Sequence, residues 1–332
     1  MGAFINQTDY HYQTLRCNVD LLKVIQLGIT LFNEEGESPP ARPDEDSDVP
    51  PYRSSPTPCT WQFNFQFSLD DDMYNQESIE FLHNHGLELE RFEREGIDPA
   101  VFGSILITSG LVMFQDVKWI SFHSGYDFAY LIKLMTCKEL PEDETEYRKL
   151  LKLHFPSVYD IKFMVKDAQR SQTVNDTPLT AAAATIINGL GPKGFGLEDL
   201  ARQLGVKRLG LSHQAGSDSH LTGKVFWEAR ASLFNGTIDE EKYLGQVWGL
   251  KGLSGGSGPA GAGHAVTPNL NGATIYTNPP NQGTPSTPAS AQTGPNSTPN
   301  QQSAGINGGG IASLTPGGGG GVFGAFRAFG KG

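Results

Sequence analysis

The chain is expected to fold as one α/β domain, and three observations point there. Strand-like and helix-like segments alternate along residues 21–234 and are not grouped by type. Apolar runs with strand character pass directly into amphipathic helical stretches at two places that also carry acid. The globular mixture of charged, apolar and aromatic residues stops near residue 252, and roughly 250 residues are ample for a single core.

"LLKVIQLGITLF" (residues 21–32) comes first, with Leu27, Ile29 and Leu31 alternating against Gly28 and Thr30 at the period of a strand. "TWQFNFQF" (residues 60–67) sets Trp61, Phe63, Phe65 and Phe67 against Gln62, Asn64 and Gln66, which predicts a strand with one polar face. The Pro- and acid-rich residues 38–58 between them read as a surface insertion in a hairpin connection. Ser68 is placed to cap a short helix with acid in its first turn. "VKWISFH" (residues 117–123) predicts the next strand. "SGYDFAYLIKLM" follows as a buried helix, because Phe128, Leu131, Ile132 and Met135 share one face. "SVYDIKFM" (residues 157–164) is a further strand candidate. Residues 196–205 predict a short amphipathic helix that Gly205 can end, and residues 221–234 another helix.

From residue 253 onward only Arg327 and Lys331 carry side-chain charge, so residues 253–332 are expected to form a disordered tail rich in Gly, Pro, Ser and Asn. The apolar "VFGAFRAF" near its end reads as a chance cluster. Three widely spaced cysteines, Cys17, Cys59 and Cys137, predict neither a disulfide framework nor a zinc site. Without a leader-like stretch or an apolar run of roughly twenty residues, the expected compartments are cytoplasm and nucleus, with no membrane partner. "MGAFIN" has Asn6 where a myristoylation signal needs Ser or Thr. The net charge is −11, with acid gathered at residues 42–48, 70–72 and 142–146. That balance disfavours a nonspecific nucleic-acid binder, which needs a basic face. It admits an enzyme that engages a few nucleotides through metal ions.

Chemistry concentrates at the two strand-to-helix junctions. Asp127 falls in the first turn of the helix after residues 117–123, where Ser124-x-x-Asp127 also fits a variant capping box. Asp218 opens the later helix, with Ser217 as its cap. His213 lies five residues earlier, a spacing that on a helix would set it about 140° away. Gly216 keeps the chain turning, so His213 belongs to the incoming loop, from where it can reach a carboxylate at a helix start as a general base must. His123 either faces substrate or finishes its strand, and residues 83–85 (His-Asn-His) read as a helix end.

Taken together, "WISFHSGYDFAYL" and "GLSHQAGSDSHLTG" resemble the second and third exonuclease motifs of the DEDD superfamily, histidine subtype. The wording is similar, more narrowly, to the Caf/Pop-type poly(A) deadenylase subunits of the eukaryotic Ccr–Not complex. "DYHYQTLRCNVDLLKVIQLGITLFNEEGE", "TWQFNFQFSLDDDMYNQESIEFL" and "SVYDIKFM" share that similarity. Residues 1–252 are covered, and residues 38–58 and 171–193 stand as insertions against the family pattern. The resemblance implies an RNase H-like exonuclease fold, a mixed central sheet flanked by helices. It also implies 3′-to-5′ shortening of the poly(A) tails of messenger RNA with two divalent ions, Mg²⁺ or Mn²⁺. By motif matching Asp127 would ligate one ion and Asp218 the other, and His213 would take a proton from the attacking water. His123 is the substrate-binding candidate unless it only finishes its strand, which is the preferred reading. The implied partners are the 3′ end of poly(A) RNA and the scaffold and second nuclease subunits of the complex, with no DNA.

The superfamily's first motif, an Asp-x-Glu on the first strand, is expected upstream of "MGAF". The only literal Asp-x-Glu here, Asp239-Glu240-Glu241, lies beyond the last motif and outside any strand-like run. The first strand is thus expected to be missing, leaving residues 21–32 and 117–123 without a shared neighbour. Two readings follow: a deadenylase whose first acidic motif is not in this sequence, or a truncated noncatalytic binding subunit. A DNA-trimming exonuclease fits the branch-specific wording less well.

Overall fold

The structure, a computed structural model, describes residues 7–38, 59–191 and 194–250. Almost all of the acid-rich insertion and the whole expected tail lie outside the described residues. In chain order the elements are α1 (Gln7–Leu21), β1 (Gln26–Thr30), β2 (Thr60–Asn64), α2 (Gln76–Asn84), α3 (Leu89–Glu95), α4 (Pro99–Thr108), β3 (Trp119–Ser121), α5 (Gly125–Thr136), α6 (Glu144–His154), β4 (Val158–Asp160), α7 (Ile161–Ser171), β5 (Thr173–Val174), β6 (Thr177–Pro178), α8 (Ala181–Gly189), α9 (Leu197–Gln203), α10 (Ala215–Ser232) and α11 (Glu240–Tyr243).

β1 and β2 pair antiparallel, with Gly28 opposite Gln62. β3 and β4 pair parallel, with Ile120 opposite Tyr159. The expected mixed sheet is therefore present as two separate ladders, and among the described residues none joins β1 to β3. α10 packs against both strands. Its first turn approaches β1 so closely that a Cβ on Gly28 would lie 1.9 Å from the Ala215 carbonyl oxygen. The parallel pair separates two apolar cores, because successive strand side chains point to opposite faces. Trp119 and Val158 enter a core with α1, α4, α5 and α6, while Ile120 and Tyr159 enter one with α7, α8, α9 and α10.

Several sequence expectations change. Leu21 ends α1, a helix whose Tyr12, Leu15 and Val19 bury one stripe, so β1 holds only the second half of residues 21–32. Residues 157–164 are not one strand: Asp160 accepts from the Lys162 and Phe163 amides at 3.0 and 3.3 Å and so starts α7. Ser68 heads a turn, not a helix, in which Asp72 accepts from the Ser68 amide and pairs with Lys23 at 2.6 Å. α10 begins at Ala215, ahead of both Ser217 and residue 221, with Gln214 as its N-cap. Gly205 does close α9, at φ +71°. The stretch 171–193 contributes a small hairpin and α8, whose Ala183 and Ile187 join the second core.

Candidate active site

The β3–α5 junction carries Asp127, which is buried in the first turn of α5. Ser124 heads that helix, yet its side chain makes no cap bond and goes instead to the Ser121 hydroxyl at 2.6 Å and to Asp160 at 3.2 Å. The Ser124 amide also donates to Asp160, at 3.0 Å. The Ser124 amide thus goes to Asp160 and not to Asp127, and with no cap bond from the Ser124 side chain the capping-box alternative for Asp127 falls away. Burial pushes the hydroxyl of Tyr147 far above the phenol range, with the charges of Tyr12 and Asp127 adding to the rise. His123 sits at φ +61°, a left-handed conformation that costs a non-glycine residue energy. Its amide donates to Asp160 at 3.0 Å, and its Nδ1 lies 3.3 Å from the Lys162 ammonium.

The start of α10 carries Asp218, and strand side chains from β1 and β2 hold it. The Ala215 amide donates to the Gln26 side chain at 2.8 Å and the Gly216 amide to that of Gln62 at 2.9 Å. These are first-turn N–H groups that otherwise lack partners inside a helix. Thr30 and Ser219 share a buried hydroxyl contact at 2.8 Å, fixing the rotation of the helix one residue beyond Asp218. The Arg208 guanidinium donates to Asp218 at 2.5 Å and to the Ser217 hydroxyl at 3.1 Å, and it also pairs with Glu198 of α9.

His213 stands in the loop before α10, at φ +63°. Burial lowers its pKa, opposed by the charge of Asp218 and reinforced by His85, so the two groups the sequence joined are electrostatic neighbours. Its ring meets His85 at 4.4 Å and Phe81 at 4.7 Å between centroids, both edge-on. His85 is the C-cap of α2, as expected of a helix end, and its carbonyl accepts from Gln214 at 2.8 Å. A pocket of about 310 Å³ opens beside this entry, lined by Gln26, Gln62, Asn64, Arg91 and Gln214 among others.

Asp160, Arg208, His85 and the two strand glutamines are the site residues that sequence reasoning missed. Only Asp160 had a local signal, an aspartate just before a helical run. As a metal centre the site is partial. Asp127 and Asp218 offer hard oxygen donors of the kind Mg²⁺ and Mn²⁺ take. Among the described residues, however, no three His, Cys, Asp or Glu side chains converge, and Arg208 occupies one oxygen of Asp218. Asp239, Glu240 and Glu241 supply no such ligands: Asp239 caps α11 and Glu240 binds Lys118 and the Tyr159 hydroxyl.

Only Asp127 lies at a strand-to-helix junction, since a loop from α9, not a strand, leads into α10. An α/β domain with one carboxylate there, another in the first turn of α10 and a histidine in the loop before it has the layout of a nuclease domain. The chain belongs to the CAF1 ribonuclease family, whose description, CAF1 family ribonuclease, matches residues 3–98 and 106–226. It is similar to poly(A) ribonuclease pop2 of Schizosaccharomyces pombe, 43% identical over 250 residues, which take in 75% of this chain but only 63% of that protein. It is also 39% identical over 251 residues to the probable CCR4-associated factor 1 homolog 7 of Arabidopsis thaliana, 75% of this chain and 78% of that one. Among solved structures it resembles S. pombe Pop2p in a form with Mg²⁺ and Mn²⁺ bound (43% identity, TM-score 0.61, 75% of this chain and 84% of that one). It further resembles CAF1 co-crystallized with the yeast NOT1 MIF4G domain (29% identity, TM-score 0.55, 75% and 83%). The RNase domain of yeast Pop2 is similar at 30% identity, with TM-score 0.58 over 75% and 81% of the chains. The fold is the RNase H-like one implied by the motifs.

Proposed function

We propose that this chain carries the fold and part of the acidic set of the nuclease subunit of a Ccr–Not-type complex, a subunit that removes nucleotides from the 3′ end of poly(A) RNA in cytoplasm and nucleus. The observation that carries the reading is His213 in the loop that enters α10, within electrostatic reach of Asp218 in the first turn of that helix, in a chain of the CAF1 family. Burial lowers its pKa against the opposing charge of Asp218 and so favours the neutral imidazole, the form able to accept a proton from water. Asp127 and Asp218 would each hold one of two divalent ions, Mg²⁺ or Mn²⁺; such ions, once bound, stabilise the attacking and leaving oxygens of an in-line displacement. Gln26 and Gln62 fix the start of α10 and so the direction of Asp218. Of the family relatives, one is solved with a NOT1 domain. A scaffold partner of that kind, together with a second nuclease subunit, is the proposed setting for this acidic chain.

A second reading, a noncatalytic binding subunit, draws on the partial ligand set and on the Arg208–Asp218 pair. One experiment separates the two. Purified 332-residue chain is incubated with a 3′ oligoadenylate and Mg²⁺, and the same assay is run on the chain joined to a strand bearing Asp-x-Glu. The chain alone is expected to leave the RNA intact, because among the described residues no third carboxylate joins Asp127 and Asp218 as a ligand, and the joined form is expected to trim it. Asp218→Ala in the joined form should abolish trimming. Trimming by neither form would support the binding-subunit reading.

A further inference from the structure

Asp160 is fully buried, and its neighbours are donors, not the cations of an ion pair. One oxygen accepts from the amides of Lys162 and Phe163, which is the work of a helix cap, and from the amide of His123. The other accepts from the amide and hydroxyl of Ser124 and from the amide of Trp248, at 3.0, 3.2 and 3.0 Å. Four of these six donors lie outside α7, so capping explains only a part of what the carboxylate does. The four converge on one place. His123 is held left-handed there, Ser124 and Gly125 start α5, and a Cβ on Gly125 would come within 3.1 Å of the Trp248 carbonyl. Asp127 is two residues further on.

We propose that Asp160 is the positioning residue of the candidate site: it fixes the β3–α5 junction from behind, and thereby sets the place of the Asp127 carboxylate. A residue in a sparsely populated conformation persists only when its surroundings over-determine it, and for His123 those surroundings include the Asp160 carboxylate, which takes its amide, and the Lys162 ammonium beside its ring. Groups that hold ligands from behind govern the geometry a site can reach. The contribution of Asp127 to hydrolysis rests on the function proposed above; the placement of its carboxylate does not.

Asp160→Asn separates the two duties. Asparagine caps helices about as well as aspartate, so α7 keeps its start. The amide nitrogen that replaces one oxygen cannot accept from Ser124 or Trp248. Amide hydrogen exchange on the whole 332-residue chain is expected to quicken at least tenfold at His123, Ser124, Gly125 and Trp248, with Lys162 and Phe163 unchanged. The carboxyl ¹³C resonance of Asp127 should move at the same time. Unchanged exchange at the junction, or loosening confined to α7, would overturn the proposal, as would an unmoved Asp127 signal. If Asp160→Asn does not fold, Ser124→Ala, which removes one donor to Asp160, must show the same junction loosening in smaller measure, and its absence is equally decisive. Adding Mn²⁺ to the unsubstituted chain tests the functional reading separately. A failure to broaden the Asp127 resonance would remove the metal role and leave the positioning result standing.

Discussion

Gly28 is the residue with the least freedom to change. The Ala215 carbonyl occupies the space of its missing Cβ at 1.9 Å, and that atom is backbone, so relief requires α10 to shift against β1. Gly28→Ala should cost about 3 kcal/mol, the upper end of overpacking, read as a fall in urea midpoint; a change under about 0.5 kcal/mol would show that α10 moves freely. Asp167 makes a pH-dependent contribution. Burial alone would raise its pKa, but Lys242 at 2.7 Å, Arg170 at 3.0 Å and the Tyr243 hydroxyl at 3.2 Å bring it below the ordinary carboxylate value. A depressed folded pKa gives stability that is present above the unfolded value, near 3.9, and lost as pH falls through the folded one. Asp167→Asn should therefore lower stability by about 1.5 kcal/mol at pH 7, with the gap to the unsubstituted chain closing in acid. A gap that is constant from pH 7 to pH 2 would mean that the charge plays no part. Asp127, Asp218 and His213 were legible because they lie in or just before helix starts, within stretches that match the family's motifs. Arg208 and His85 were not legible, since each reaches the site through a contact ten or more residues away along the chain.

At the scale of elements, α4 is the clearest case of a helix with two employments. Phe102, Gly103 and Leu106 face the core, and Gly103 lets α4 lie against α5, where a Cβ would come 2.1 Å from the Leu134 carbonyl. Val101 and Ile105, one turn apart, remain 54% and 60% exposed. An apolar pair on the open side of a well-packed helix fits the scaffold partner proposed above. Ile105→Asp is expected to weaken capture by a NOT1 MIF4G-type domain at least tenfold while leaving the unfolding midpoint within a degree or two; undiminished capture would move that partner to another face. α1 shows why elements were partly misread. Tyr12, Leu15 and Val19 carry a helical period, yet the adjoining apolar run drew the boundary at residue 21, so the helix was overlooked. The strand at residues 157–164 erred in the other direction, because an aspartate cap in the middle of an apolar stretch ends one element and starts another.

For the molecule as a whole, the fold class was legible because strand-to-helix alternation survives any local error. The continuity of the sheet was not, since pairing between distant strands leaves no mark on either segment. With β1 and β3 in separate ladders among the described residues, the two acidic helix starts are related through α10, which touches both strands, and through α1, which packs on α5 and leads into β1. The proposed chemistry requires the Asp127 and Asp218 carboxylates to lie within roughly 10 Å of each other, the span of a two-ion site with its ligands. A crystal structure with Mn²⁺ is expected to show that separation, with His213 bordering the same cleft. Carboxylates on opposite faces would remove the nuclease assignment for this chain.

The bond from the Trp248 amide to Asp160 has a consequence for the order in which the protein is made. The ribosome delivers β3, α5 and β4 early, but the last donor to the Asp160 carboxylate emerges only with residue 248. At ordinary elongation rates the interval is on the order of ten seconds. Through that time a nascent chain holds the buried carboxylate one donor short, and the start of α5 lacks the backbone that later covers Gly125. Closure of the junction therefore cannot be complete before residue 248 is made, however fast the strands and helices around it form.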